Sequence, residues 1–164
     1  MARQTRRTVR IICEGYSEEH FIKHVRTLYL QRRGNLELST KNAHGKGARN
    51  ALRLALSPRV RLGVDDIAIL VDTDTDWDDA QRKIAKQRKI HVLESDPCLE
   101  AWLLSTAGHV STGDSKERKR IFHKMFGSHA QDEIVYPRHF GKSVLDAARG
   151  KVRVLNQLLA LIGV

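Results

Sequence analysis

The chain contains the stretch Ile69-Leu-Val-Asp-Thr-Asp-Thr-Asp76, in which a run of apolar residues changes abruptly into alternating aspartates. The apolar run extends from residue 67 to 71 and predicts a buried strand. Dense negative charge at the end of a buried strand is costly unless something compensates it. Mg²⁺ is the usual compensation, because it binds carboxylate oxygens and keeps several of its waters. The stretch therefore predicts a buried strand that ends in a candidate metal site.

Short apolar runs and helical stripes alternate along the first two thirds of the chain. Strands are predicted at residues 8–13, 36–40, 66–72 and 90–93. The intervening segments have helical periodicity and capping signals, with N-caps predicted at Ser17 and Asp76. The first helix is predicted to end at about Arg33, the third at about Arg88, and Pro97 is predicted to open a fourth. This pattern predicts an α/β fold, with a parallel sheet of about four strands flanked by helices on both faces.

The last third of the chain has no strand pattern. Residues 115–125 predict a strongly basic helix, and residues 141–161 predict one or two helices broken near Gly150. At 164 residues, the whole chain is expected to form a single domain, since domains commonly span ~100–200 residues. We therefore expect a core at about residues 8–107 with a helical C-terminal appendage at about residues 114–162.

The composition points to a soluble protein with a polyanionic partner. The formal net charge is +10, which makes nucleic acid the first candidate, although a basic surface without a partner would also account for it. The two cysteines lie in separate apolar runs and are interpreted as buried thiols. No apolar stretch approaches the ~20 residues of a membrane span, and no apolar signal core follows the N-terminus. We expect a cytoplasmic protein without a membrane partner.

Several acids are predicted to meet at one edge of the sheet. Glu14 ends the first strand, and Asp72 and Asp74 end the third, while ligands of parallel sheets bind beyond the carboxyl ends of the strands. Glu18 and Glu100 lie near the starts of the helices that follow strands one and four, so they could join the group. Two or three carboxylates together with a substrate phosphate suffice for Mg²⁺.

Each acid also has a purely structural interpretation. Glu18 could complement the dipole of its helix, and Asp74 could shape a turn. For Asp76 the structural interpretation, an N-cap of the next helix with Asp79 in its first turn, is preferred over a metal role.

Three motifs resemble a known family. They are Ile12-Cys-Glu-Gly-x-Ser-Glu18, Val71-Asp-x-Asp74 and Ser95-Asp-Pro-Cys-Leu-Glu-Ala-Trp-Leu-Leu104. Together they resemble the RloB-like group of TOPRIM-fold proteins over roughly residues 8–105. In that group the third motif usually reads Asn-Pro-Cys-x-Glu-x-Trp-Leu-Leu, so Asp96 stands here in place of the asparagine. This departure adds a negative charge near the proposed site.

The resemblance implies a TOPRIM-like fold and a metal-dependent nuclease. It assigns Mg²⁺ (or Mn²⁺) binding to Glu14, Asp72 and Asp74, and similarity to OLD-type nucleases suggests that Glu18 serves a second metal. Proteins of this group resemble parts of phage-defence or restriction-linked systems, often beside an ATPase partner. A non-catalytic subunit that binds nucleic acid or docks a partner, and a phosphoesterase or phosphotransferase acting on a small nucleotide, remain alternatives.

The basic residues provide candidate contacts to DNA or RNA. Lys46 lies in a glycine-flanked loop after strand two, where backbone N–H groups could approach a phosphate, although a flexible polar loop is an equal alternative. Lys142 is assigned to a phosphate or transition-state contact. The predicted basic helix would contact the phosphate backbone or simply form a solvated face. The nucleic-acid-binding candidates are Lys46, Lys116, Arg118, Lys119, Arg120 and Arg138.

Three histidines and one tryptophan each have more than one interpretation. His20 and His24 have the i, i+4 spacing of a zinc pair but no third ligand, so surface histidines are preferred. His44 is interpreted as an exposed loop residue rather than an acid or base. Trp77 is predicted either to stack on a base or to cap the crevice.

Overall fold

The computed structural model describes residues 5–31 and 34–164 and contains a four-stranded, all-parallel sheet. Its strands are β1 (Arg7–Cys13), β2 (Leu36–Asn42), β3 (Asp66–Asp72) and β4 (His91–Ser95), in the spatial order β2-β1-β3-β4. The predicted α/β fold is confirmed. Strands β2 and β4 each run two residues beyond their predicted ends, and the predicted bounds of β3 match the structure.

Helices cover both faces of the sheet and form two hydrophobic clusters. The first cluster lies under α1 and α5–α9, and the second lies under α2–α4. The helices are α1 (Tyr16–Leu30), α2 (Ala48–Leu56), α3 (Pro58–Arg61), α4 (Asp79–Gln87), α5 (Leu99–Thr106), α6 (Ser115–Phe126), α7 (Val135–His139), α8 (Lys142–Ala148) and α9 (Arg153–Leu161). None of the helices in the described ranges is long and apolar enough to cross a bilayer.

Strand β3 is apolar from Ile67 to Val71 because this part of it is buried on both faces. Ala68 and Leu70 pack in the first cluster, whereas Ile67, Ile69 and Val71 pack in the second. A central strand of a parallel sheet has no solvent-facing side, so its sequence has no polar alternation. This burial explains the apolar run that precedes the aspartates.

The C-terminal helices pack against the first face of the sheet. Phe122 of α6, Tyr136 of α7 and Leu155 of α9 share one cluster with Phe21 of α1. The predicted basic helix corresponds to α6, and the predicted break near Gly150 separates α8 from α9. Helix α7 begins inside the polar segment 127–136, for which no helix was predicted.

Two predicted helix starts are wrong, and at both of them an acidic side chain accepts backbone N–H groups at the start of the helix. The N-cap of α1 is Gly15 rather than Ser17, because the Glu18 carboxylate accepts the Gly15 N–H at 2.9 Å. The N-cap of α4 is Asp78 rather than Asp76, since its carboxylate accepts the N–H groups of residues 80 and 81. Asp79 lies in the first turn of α4, as predicted.

Two other helix bounds also differ from the prediction. Helix α5 begins at Leu99, after an N-cap at Cys98, two residues later than Pro97 suggested. Helix α1 ends at Leu30, and its predicted end near Arg33 lies outside the described residues.

Candidate functional site

The topology of the sheet places a crevice between β1 and β3. The chain moves outward from β1 to β2 on one side and to β3 and β4 on the other, so the strand order reverses between these two neighbours. Ligands of open α/β sheets bind at such a reversal, beyond the carboxyl ends of the strands. Glu14 directly follows β1 and Asp72 is the last residue of β3. The backbone N–H of Asp72 donates to Oε2 of Glu14 at 2.9 Å, so the structure brings these two predicted acids together.

Helices α5 and α1 add two further buried acids to this crevice. Oδ1 of Asp72 accepts the N–H of Leu99 at 3.0 Å, which places the carboxylate at the start of α5. Glu100 follows Leu99 in the first turn of that helix and is buried. Glu18 lies in the first turn of α1 and is 6% exposed, compared with 8% for Asp72. We call Glu14, Glu18, Asp72 and Glu100 the acid cluster.

The negative charge of the acid cluster is only partly compensated by the groups around it. Burial, and then the charges of Glu18, Glu14 and Glu100, raise the pKa of Asp72 to about 9. Burial together with the charges of Glu14 and Glu100 raises the pKa of Glu18 to about 7, against the opposing effect of backbone hydrogen bonds. Burial also raises the pKa of Glu14, although the hydrogen bond from Asp72 opposes it. These carboxyl groups therefore favour a bound cation or, without one, a proton.

Asp74 and Asp76 lie at the margin of the acid cluster and have different partners. Asp74 is exposed, contributes to the raised pKa values of Asp72 and Glu14, and accepts a hydrogen bond from the Ser115 hydroxyl at the start of α6. Asp76 instead accepts the N–H of Arg49 at 3.2 Å, in the first turn of α2. Asp76 therefore caps a helix other than the one predicted.

Lys119 is the basic residue of α6 that interacts with the acid cluster. Partial desolvation lowers its pKa, but the charges of Glu100, Asp72 and Asp74 outweigh this effect and raise it. Lys119 was predicted as a nucleic-acid contact without any relation to the acids. The sequence spacing places Ser115 and Lys119 on one side of α6, but the contact of Ser115 with Asp74, which turns this side toward the acids, is visible only in the structure.

The other predicted basic residues have partners elsewhere or are free on the surface. Lys142 forms an ion pair with Asp146 at 2.7 Å and lies 5.1 Å from the centre of the Tyr29 ring, so its contacts do not involve the acid cluster. Arg118 donates to the Gly113 carbonyl and the Ser111 hydroxyl, and Arg120 pairs with Glu117. Lys116 of α6 and Arg138 of α7 are exposed.

The loop that carries Lys46 lies at the same edge of the sheet as the acid cluster. The Gly45 N–H donates to the Glu14 carbonyl at 2.7 Å. Gly47 has a φ of +88°, and a Cβ at this position would lie 2.8 Å from Oδ1 of Asp76, so the tight approach requires glycine. Lys46 itself is exposed, as a phosphate contact would need.

Both interpretations of Trp77 are wrong. Trp77 is 6% exposed, packs in the second hydrophobic cluster and donates from Nε1 to Oε1 of Glu94 at 2.8 Å. It therefore neither stacks on a base nor caps the crevice. Asp96 is exposed and accepts a hydrogen bond from the Thr73 hydroxyl at 2.8 Å, so this departure from the family motif ties together the loops after β3 and β4.

The two histidines predicted as surface residues are only partly exposed, and both contact carbonyls of the C-terminal region. Nδ1 of His20 contacts the Gln131 carbonyl at 2.8 Å, and Nε2 of His24 contacts the Phe140 carbonyl at 2.7 Å. His44 is an exposed loop residue, as predicted.

The donor set of the crevice fits a hard divalent cation. Within residues 5–31 and 34–164, no three His, Cys, Asp or Glu side chains are already grouped closely enough to hold a metal ion. Mg²⁺, however, commonly uses only one or two carboxylates, with waters and substrate phosphates completing its shell. The raised pKa values of Asp72 and Glu14 mark carboxylates that a cation would stabilise.

Comparisons with known proteins identify a family and give no further relative. The chain matches no curated protein and no solved structure at a significant level. The family model described as RloB-like protein matches residues 9–149. This range contains β1 from Val9 onward, the other three strands and all four residues of the acid cluster. The match covers most of the chain, and we conclude that the protein belongs to the RloB-like family.

Proposed function

We propose that the protein is a Mg²⁺- or Mn²⁺-dependent nuclease of the TOPRIM type that cleaves phosphodiester bonds of nucleic acid. The observation that supports it is the meeting of Glu14 and Asp72 at the reversal of strand order, where their buried charge is only partly compensated. Clustered buried acids cost the fold stability, and such a cost is expected at a functional site. The net charge of +10 fits a polyanionic substrate.

In this proposal Glu14 and Asp72 hold the metal, and Glu18 and Asp74 assist. When bound, the metal supplies charge neutralisation at the scissile phosphate and a bound water of lowered pKa. The Asp72 carboxyl must lose its proton to become a ligand, and burial together with the charges of Glu18, Glu14 and Glu100, which raise its pKa, favours retention of that proton in the free protein.

Lys119 takes the phosphate-contacting role that the sequence suggested for Lys142. Its ammonium group interacts with the acid cluster, so it lies where the negative charge of a substrate would also gather. Lys46, exposed on the loop bonded to Glu14, is the second proposed phosphate contact. The resemblance of the motifs extends the proposal to a role in phage defence or a restriction-linked system, with an ATPase as a possible partner.

The test is cleavage of DNA and RNA with Mg²⁺ or Mn²⁺ by the wild type, Asp72→Ala and Asp66→Ala. Asp66 begins the same strand whose last residue is Asp72, so it is a matched control. Asp72→Ala is expected to lower the rate by on the order of 100-fold or more, since even partners of metal ligands are worth about 10- to 100-fold. Asp66→Ala should stay within about twofold of the wild type, as expected for a surface substitution. Absence of cleavage by the wild type on every polymer would exclude the nuclease.

A non-catalytic subunit that binds nucleic acid is the second candidate. It is favoured by the hydrogen bonds that Oε2 of Glu14 and Oδ1 of Asp72 already accept from the backbone, which give these acids a structural use. Salt-sensitive binding of nucleic acid without cleavage would support this alternative.

A further inference from the structure

Tyr16 is an aromatic residue left exposed beside the acid cluster. All nine Phe, Tyr and Trp residues of the chain lie within the described ranges, and Tyr16 is the exposed one, at 52%. Most of the others are buried, among them Phe21 of the same helix, α1, and Tyr136, which shares a hydrophobic cluster with Phe21. An aromatic ring gains free energy when it is covered, so an exposed ring next to a candidate site is available to contact a ligand.

The ring of Tyr16 belongs to a small group of rings at the crevice. Its centre lies 6.1 Å from the centre of His20 and also 6.1 Å from that of His44. His44 belongs to the loop whose next residue, Gly45, donates to the carbonyl of Glu14. The ring group therefore lies at the same edge of the sheet as the acid cluster.

The backbone holds His44 toward this group. His44 has a φ of +60°, a left-handed conformation that a residue other than glycine seldom adopts, and its N–H donates to Oδ1 of Asn42 at 2.6 Å. The side chain of His44 remains exposed. The left-handed backbone of His44 has some conformational cost, and in this conformation the ring of His44 lies beside Tyr16.

Positive charge accompanies these rings. Lys46 is exposed two residues after His44, and Lys41 is exposed at the end of β2. Aromatic rings interleaved with lysines are the combination that single-stranded nucleic acid requires, because the rings stack on bases while the cations follow the phosphates. In a duplex the base faces cover one another and are not accessible to a ring.

We propose that Tyr16, flanked by His20 and His44, stacks on a base of single-stranded DNA or RNA whose backbone passes the acid cluster. The ring group would thereby select single strands or frayed ends as the substrate. The passage of the backbone along the acid cluster depends on the proposed nuclease function, whereas the stacking itself does not.

The experiment measures binding by fluorescence anisotropy in EDTA, so that no cleavage is needed. The probes are a single strand of about 12 nucleotides, as DNA and as RNA, an abasic strand of the same length, and a duplex of the same sequence. The proteins are the wild type, Tyr16→Leu, Tyr16→Phe and Val110→Ala, the last being a control because Val110 is exposed elsewhere on the chain.

Tyr16→Leu is expected to weaken binding of the base-containing single strand by about 5- to 100-fold, the range for loss of one stacked base. Tyr16→Phe and Val110→Ala should bind like the wild type. On the abasic strand and on the duplex, Tyr16→Leu should equal the wild type. The tighter of the DNA and RNA arms identifies the source of the base.

Four results would overturn the inference: no binding of single strands by the wild type, no effect of Tyr16→Leu on that binding, an equal loss on abasic strands, or an equal loss on the duplex. Its failure is distinct from that of the nuclease. Metal-dependent cleavage with no effect of Tyr16→Leu would remove the stacking and keep the nuclease. Single-strand binding that depends on Tyr16, without any cleavage by the wild type, would keep the stacking and exclude the nuclease.

Discussion

The two ends of β3 carry acids in opposite environments. At the amino end, Oδ2 of Asp65 accepts two hydrogen bonds from Thr8, at 2.7 and 2.8 Å, and Asp66 pairs with Arg7 at 2.7 Å. These hydrogen bonds lower the pKa of Asp65. At the carboxyl end, burial and neighbouring acids raise the pKa of Asp72 to about 9.

This difference separates acids that stabilise the fold from acids that cost it stability. The residue type is the same at both ends of the strand, but Asp72 is buried and the acids at the amino end are not, and the compensation of the charge differs as well. Proteins retain unfavourable local arrangements mainly where function requires them. The acids at the amino end of β3 therefore stabilise the fold, whereas those at the carboxyl end are proposed to bind the metal.

Metal binding should stabilise the protein through Asp72, at the carboxyl end of β3, and not through Asp66 at the amino end. Mg²⁺ at about 100 times its dissociation constant is expected to raise the free energy of unfolding by about 2.7 kcal/mol. The same increase is expected for Asp66→Asn but not for Asp72→Asn, which lacks the proposed ligand. Urea unfolding with and without Mg²⁺ measures it, and an equal increase in all three proteins would show that the ion binds elsewhere.

The pH dependence of stability should originate at the same end. The pKa of Asp72 is raised from 3.8 to about 9 and that of Glu18 from 4.5 to about 7. Between these values the folded state holds protons that the unfolded state has lost, so metal-free stability should fall as the pH rises from about 5 to 9. The expected slope is on the order of 1 kcal/mol per pH unit.

Urea unfolding in EDTA across this pH range measures that slope. Asp72→Asn should reduce it and leave the part that Glu18 contributes up to about pH 7, and Asp66→Asn should leave it unchanged. A stability that rises toward pH 9 in the wild type would contradict the assignment.

Loss of Lys119 should slow the proposed cleavage. Lys119→Gln is expected to lower the rate by about tenfold, or about 1.4 kcal/mol, because it removes the cation that interacts with the acid cluster. Lys124→Gln makes the same charge change at an exposed position of the same helix and serves as the control. Equal rates for the two variants would argue against a specific role for Lys119.

The smallest effect is expected at the amino end of β3. Asp66→Asn removes a partly exposed ion pair with Arg7 and should lower the free energy of unfolding by only about 0.2–1 kcal/mol. High salt should largely abolish this difference, because it screens exposed charges. A loss that persists at high salt would mean that the pair contributes more than surface electrostatics.

The sequence by itself determined the parallel α/β fold and the meeting of Glu14 with Asp72. Apolar runs of strand length reveal buried strands, and parallel strands end at a common edge, so both conclusions follow from local pattern and topology. The break between α8 and α9 was also readable, since Gly150 interrupts a helical pattern.

Only the tertiary structure decided which cation interacts with the acids and which aspartate caps which helix. Lys119 and Lys142 look equivalent in the sequence, yet α6 carries one to the acid cluster while α8 pairs the other with Asp146. Asp76 likewise reaches α2, a helix distant in the sequence, and Trp77 is buried against the second face of the sheet. Such contacts depend on how each helix is rotated and packed on the sheet, and this rotation is set by the whole core rather than by neighbouring residues.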